Sequence, residues 1–161
     1  MIMKDALQEL AELGLASRFS RLSEYLMKET QIVYDTIGIN FDSYLFPVFK
    51  IIIDNKTTTT SEIQTQLKYT QPAITQSLNK LIDKNLVVFK IDKTDKRKKI
   101  FRLTPKGKET HLQLIPLWAV IDKQVKWLTE GSSTSLTRHL THLENQLTEK
   151  SLSKRILENV K

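Results

Sequence analysis

The chain has 161 residues, 40% of them hydrophobic and 27% charged, with a net charge of +7 and four residues each of Gly and Pro. That suits one globular domain with room for an appended oligomerisation element, and argues against long disordered linkers. No run approaches the roughly 18–20 apolar residues that span a bilayer, no export signal opens the chain, and the lack of cysteine excludes disulfides, thiolate metal sites and thiol redox sensing. A cytoplasmic protein is expected.

In chain order, Met1 to about Lys28 reads as a helix, because Leu7, Leu10, Ala11, Leu15, Phe19, Leu22 and Leu26 recur at helical spacing. Gly14 weakens it slightly. Residues 30–41 are mixed, with a turn at Gly38 and Asn40. Asp42 or Ser43 can cap a second helix to about Ile53, with Pro47 near its first turn, and Asp54-Asn55-Lys56 breaks it. Thr59-Thr60-Ser61-Glu62 matches a capping box, in which a hydroxyl bonds the N3 amide and the Glu reaches back. The helix it opens turns Ile63 and Leu67 inward and ends near Lys68. Thr70 can cap the next helix, with Pro72 in its first turn, running to about Asn85 with Ile74, Leu78, Leu81 and Ile82 on one side. Two short helices so joined form a helix-turn-helix pattern.

Leu86–Ile91 and Lys99–Leu103 are rich in β-branched and aromatic residues and flank a polar turn from Asp92 to Lys98, which predicts a β-hairpin and so a winged helix. Thr104-Pro105 caps and opens another helix, whose apolar side continues through Leu112, Ile115, Trp118, Ile121 and Leu128. Pro116 should kink or split it near Leu114. Gly131-Ser132-Ser133 should end it. A last helix is expected from about Thr134 to Val160, with a seam of Leu136, Leu140, Leu143, Leu147, Leu152, Ile156 and Val160.

The segment Lys90–Lys108 holds nine cations against two anions, which accounts for the whole net charge. Arg97 lies near the hairpin tip, where a planar guanidinium suits a narrow minor groove. Lys93, Lys96, Lys98 and Lys99 would neutralise phosphates. Asp95 repels DNA, and its expected purpose is to pin the loop through a cation or a backbone amide. Projected at about 100° per residue, the helix from Thr70 sets Gln76 opposite its apolar face. Gln71, Pro72, Ala73, Gln76, Asn79 and Lys80 are then candidates for base edges, since amides pair with adenine and small apolar groups touch thymine methyls. Thr70 and Thr75 are candidates for phosphates. No acidic residue lies between Thr70 and Leu81.

Asp95-Lys96-Arg97, followed by Leu103-Thr104-Pro105-Lys106-Gly107, resembles the wing signature of MarR-type transcriptional regulators, and Thr70–Leu78 resembles their recognition helix. The resemblance implies one domain over 1–161: a winged helix-turn-helix lobe at 42–108 and a helical dimerisation region at 1–30 and 109–161. It implies a homodimer on a pseudo-palindromic operator, commonly a repressor that releases DNA on binding a small molecule. It also implies that Arg97 enters the minor groove while Asp95 orients the wing.

The fold expected is mostly α with a small β-wing. Tyr34, Phe41, Tyr44, Trp118 and Trp127 either line an effector pocket or pack the core. His139 and His142 share a helix at metal-compatible spacing, but without cysteine and with His111 far away in sequence they read as surface or interface residues. No metal, cofactor or catalytic motif is expected. The rival readings are a winged-helix module that holds a protein partner without binding DNA, and an enzyme or carrier built on the helical region.

Overall fold

The computed structural model describes residues 5–129 and 136–160. The expected break at Gly131-Ser132-Ser133, the expected helix start at Thr134 and the first four residues lie outside them.

The amino-terminal helix differs from expectation at both ends. Helix α1 spans only Ala6–Glu9, a 3-10 turn follows at Ala11–Gly14, and α2 runs Leu15–Thr36. Asp5 caps α1 by accepting the Leu7 amide at 3.1 Å and also pairs with both terminal nitrogens of Arg21, at 3.1 and 2.6 Å. The break enters through Ala11 at φ +46°. Gly14 permits it: a Cβ there would lie 2.5 Å from the carbonyl oxygen of Leu7. At its other end α2 continues through 29–36, which holds neither Gly nor Pro. The Thr30 and Thr36 hydroxyls donate back to the carbonyls of Leu26 and Ile32 at 2.8 and 2.6 Å, so they do not compete for the helix's own amides. Gly38, at φ +74°, makes the turn beyond it.

A 3-10 turn at Ser43–Leu45 leads into α3, Phe46–Asn55, with Pro47 in its first turn and Lys56 at φ +62° beyond its end. Neither expected cap works as one. The Asp42 carboxylate instead meets Lys84 at 3.0 Å, and the Ser43 hydroxyl donates to the carbonyl of Met27 at 3.0 Å. Strand β1 is only Thr58–Thr59; α4 is Thr60–Leu67, α5 is Gln71–Asp83, β2 is Val87–Ile91 and β3 is Lys99–Leu103. The sheet is antiparallel in the order β1-β3-β2, with Thr58 opposite Phe101, and Val87 opposite Leu103. The expected capping box closes α4: the Thr59 hydroxyl accepts the Glu62 amide at 3.3 Å, and Glu62 accepts the Thr59 amide at 2.7 Å.

Helix α6 runs Pro105–Thr129, opened as expected by Thr104, whose hydroxyl accepts the Gly107 amide at 2.9 Å. Pro116 lies inside it without splitting it. Proline removes one helical bond, and more than two turns of helix hold on either side.

The chain forms two compact units, divided between Ile115 and Pro116. The first is built on a core of Tyr34, Phe41, Leu45, Phe49, Ile52, Ile63, Ile74 and Leu81, all buried to 1% exposure or less, together with Leu114 from the start of α6. The second contains the rest of α6 with α7, Leu136–Glu149, and α8, Leu152–Leu157. The single last helix of the sequence reading is therefore two. Ser151 caps α8 by accepting the Lys154 amide, and Arg155 reaches back to the carbonyls of Lys150 and Gln146 at 3.0 and 2.8 Å, closing the end of α7.

Candidate nucleic-acid interface

Helix α5 is amphipathic in the sense the sequence projection requires. Ile74, Ser77, Leu78 and Leu81 are buried, whereas Gln71, Pro72, Ala73, Thr75, Gln76, Asn79 and Lys80 are exposed. Ser77 joins the inner face because its hydroxyl is spent on the carbonyl of Ala73 at 3.0 Å. Gln71, Pro72, Thr75, Gln76, Asn79, Lys80 and Asp83 border one open hollow of about 570 Å³. Ala73 is exposed but does not line that hollow. Thr70 sits at the N-cap with extended backbone, yet its side chain makes no capping bond.

The hairpin tip is held by two carboxylates. Asp95 accepts the amide of Arg97 at 3.0 Å, the backbone pairing expected of it. Sequence reasoning missed the larger organiser, Asp92, which accepts the Thr94 hydroxyl at 2.5 Å and the Thr94 and Asp95 amides at 2.7 and 3.0 Å. The Thr94 hydroxyl and then these amides hold the Asp92 carboxyl at about 2. The signal was present as Asp92-x-Thr94, a sequence that closes an Asx turn. Asp92 also donates its own amide to the carbonyl of Lys98 at 2.9 Å, closing the loop. Lys93, Lys96, Arg97, Lys98 and Lys99 are all exposed. The Arg97 guanidinium has no partner among the described residues. The Lys99 ammonium sits 4.3 Å above the Phe89 ring, so its stem is directed along the sheet.

Wing and helix meet at a second cleft, of about 330 Å³, where Arg97, Lys98 and Lys99 face Gln71, Thr75 and Asn79 of α5. Thr59, Thr60 and Ser61, from the start of α4, complete its wall. These three hydroxyl residues were read from the sequence only as a helix cap. The start of a helix carries outward amides and partial positive charge, which favours anions beside the wing's cations.

The other candidates fall elsewhere. Tyr34 and Phe41 are buried and meet edge to face at 5.7 Å, and Phe41 packs on Phe49 at 5.2 Å. Tyr44 is exposed, Trp118 is half-buried in the second unit and Trp127 is largely exposed. None of them borders either cleft. His139 and His142 belong to no metal-binding group among the described residues. Burial, reinforced by the Lys50 ammonium and opposed by Asp54, lowers the His111 imidazole below its ordinary range. No described helix is long and apolar enough to cross a membrane.

The family model described as MarR family matches residues 46–98. A search among curated proteins found no match. Among solved structures, the fold is similar to a MarR mutant from E. coli complexed with operator DNA, at 23% identity and TM-score 0.66, covering 89% of this chain and 99% of that one. It is similar to the regulator BldR from Sulfolobus solfataricus at 22% identity and TM-score 0.63, covering 91% and 99%. It is also similar to the regulator PcaV from Streptomyces coelicolor in complex with its natural ligand, at 14% identity and TM-score 0.65, covering 94% and 99%. The family segment lies across α3, α4, α5, β2 and the wing loop as far as Lys98, and the likeness to the solved structures is one of fold: a winged helix-turn-helix.

Proposed function

We propose that this protein is a sequence-specific regulator of transcription that binds double-stranded DNA as a homodimer and acts as a ligand-responsive repressor. The observation that carries the reading is one surface. The exposed face of α5 offers amides and a lysine without a carboxylate until Asp83, and it runs through a hydroxyl-lined cleft onto a cationic wing. A duplex needs that combination: donors and acceptors for base edges flanked by cations for phosphates. In this reading Gln71, Pro72, Ala73, Gln76, Asn79 and Lys80 enter the major groove, Thr70 and Thr75 meet its backbone, and Arg97 enters the adjacent minor groove. Lys93, Lys96, Lys98 and Lys99 neutralise phosphates while Asp95 holds the tip.

Members of the MarR family are transcription regulators, not enzymes, and within the same fold one relative is complexed with operator DNA and another with its natural ligand. Exposed leucines and isoleucines on α2 and on α8, among them Leu22, Leu26, Ile156 and Leu157, support the dimer. Two half-sites about one helical turn apart, roughly 34–36 Å, are then expected on a pseudo-palindrome. Tyr44 in the first unit and Trp118 in the second each remain a candidate for effector contact; Tyr34 and Phe41 serve the core of the first unit.

The test is to recover bound fragments from the source genome and titrate one of them by anisotropy at fixed salt. Arg97→Ala should weaken binding by about 1–3 kcal/mol. Unchanged affinity would remove Arg97 from the interface, and a wild-type protein that recovers no fragments would leave the protein-interaction reading in its place.

A further inference from the structure

Helix α5 is gripped at its carboxyl end by three sets of contacts, two from the start of α6 and one from the connection between α2 and α3. Its last carbonyls need partners, and the Lys106 ammonium bonds the carbonyl of Lys84 at 2.9 Å while the Thr104 hydroxyl bonds that of Asn85 at 2.6 Å. The third grip runs outward. The Lys84 ammonium, on a side chain 19% exposed, meets the Asp42 carboxylate at 3.0 Å and the Asn40 side-chain oxygen at 2.7 Å. Asn40 and Asp42 belong to the short connection between α2 and α3, and that connection is held from its other side. Gln31 on α2 donates to the carbonyl of Phe41 at 3.1 Å and accepts the amide of Ser43 at 2.9 Å, and the Ser43 hydroxyl bonds Met27. Residues 40–43 are thus a strap, fastened to α2 by Gln31 and to the end of α5 by Lys84.

We infer that Lys84 is a positioning residue for DNA recognition, acting through Asp42 to fix the angle at which α5 meets the duplex. The inference rests on the DNA-binding reading above. Lys84 is the residue just beyond the last turn of α5 and borders neither cleft. The pair is half-buried, with side chains 19% and 29% exposed, so it holds its geometry better than a fully solvated pair does. Its effect is geometric: Ile74, Leu78 and Leu81 seat the inner face of α5 on the core, and the grip at the carboxyl end sets the tilt of the helix over that seat, on which the amino-terminal, base-reading half depends. No Gly or Pro outside the first turn gives α5 a hinge of its own, so an error at Lys84 travels the length of the helix.

The sign of one substitution separates this from bulk electrostatics. Asp42→Asn removes a negative charge, so phosphate attraction alone predicts tighter binding. Positioning predicts weaker binding, by about fivefold for a dimer in which each protomer loses a partly exposed pair. The measurement is anisotropy on a labelled duplex carrying a genomic fragment recovered by the wild type, beside a random-sequence duplex at the same salt. Asp42→Asn and Lys84→Met should each lose affinity for the selected duplex, leave the random one within about twofold, and keep the wild-type salt slope, since no phosphate contact is removed. The exchanged pair Asp42→Lys with Lys84→Asp should recover most of the loss. Asn40→Ala, a milder change, should weaken selected binding in the same direction even if Lys84→Met folds poorly. Equal or tighter binding by Asp42→Asn would overturn the proposal. So would a Lys84→Met variant that loses both duplexes alike with a shallower slope, which would mark Lys84 as a phosphate contact. Wild-type protein that binds neither duplex would instead overturn the DNA reading on which the proposal stands.

Discussion

Replacing Gly107 with alanine sets two effects of opposite sign against each other. Gly107 lies in the first turn of α6, where alanine is favoured over glycine by roughly 1 kcal/mol on helix propensity. The site has no room for the methyl group. A Cβ would stand 2.0 Å from the carbonyl oxygen of Leu86 and 2.9 Å from its carbon, both backbone atoms at the entry to β2. Relief requires the two elements to part by more than ~1 Å, beyond the range of favourable contact. That separation breaks the bond from the Thr104 amide to the same Leu86 oxygen, now 3.0 Å, and strains the Thr104 hydroxyl on Asn85 at 2.6 Å. Two bonds at about 1 kcal/mol each and overpacking of about 1–3 kcal/mol outweigh the propensity gain. The expected net loss is about 2–4 kcal/mol, or roughly 6–12 °C in midpoint for a chain of this size. Thermal and urea unfolding followed by circular dichroism measure it. An unchanged or raised midpoint would show that the strand end and helix start separate freely, and the steric reasoning would fail.

Two further outcomes concern the recognition surface. The Asp92 carboxyl is lowered to about 2 by the Thr94 hydroxyl and neighbouring amides. Its ordering of the loop is therefore complete above its unfolded value of 3.8 and is lost as pH falls through about 2. Amide resonances of Thr94 and Asp95 should titrate together near pH 2; a common midpoint near 4 would mean that the turn is not formed around Asp92. Gln76→Ala should change which bases are preferred in a selection from randomised duplexes, with a cost of about 1–3 kcal/mol confined to particular positions. A uniform loss across all sequences would make Gln76 a backbone contact.

The sequence was most legible where local chemistry and tertiary structure agree. Thr59 with Glu62, and Thr104 with Pro105, are caps whose partners lie within a few residues, so composition and spacing suffice to place them. The strands flanking Asp92–Lys98 were legible from their β-branched and aromatic residues. The recognition face followed from the helical period, apart from Ser77, a polar residue that buries itself by bonding its own backbone. Non-local causes were harder to read. Ala11 takes a positive φ because the chain folds back on α1, and Gly14 is needed for a distance to Leu7 that no periodicity reports. Strand β1 is two residues long, too short to display a period of two. The division of the last helix did leave a trace, the five-residue step from Leu147 to Leu152, which spans the break at Lys150 and Ser151.

That two-residue strand alters what the wing is. A strand of this length has little stability alone, and among the described residues its only strand partner is β3, the returning arm of the hairpin. The same Thr59 that pairs with Ile100 also caps α4. Both helices of the reading module are therefore enclosed in a loop of roughly forty residues, whose closure entropy is offset at its ends by a few backbone bonds. The hairpin is the clasp of that loop as well as its outermost tip. Removing it would leave Thr58 and Thr59 unpaired at the start of α4 and let the enclosed helices fray. A wing-deleted protein would then report on unfolding rather than on lost contacts, so substitutions confined to 93–97 are the cleaner way to separate what the wing touches from what it holds together.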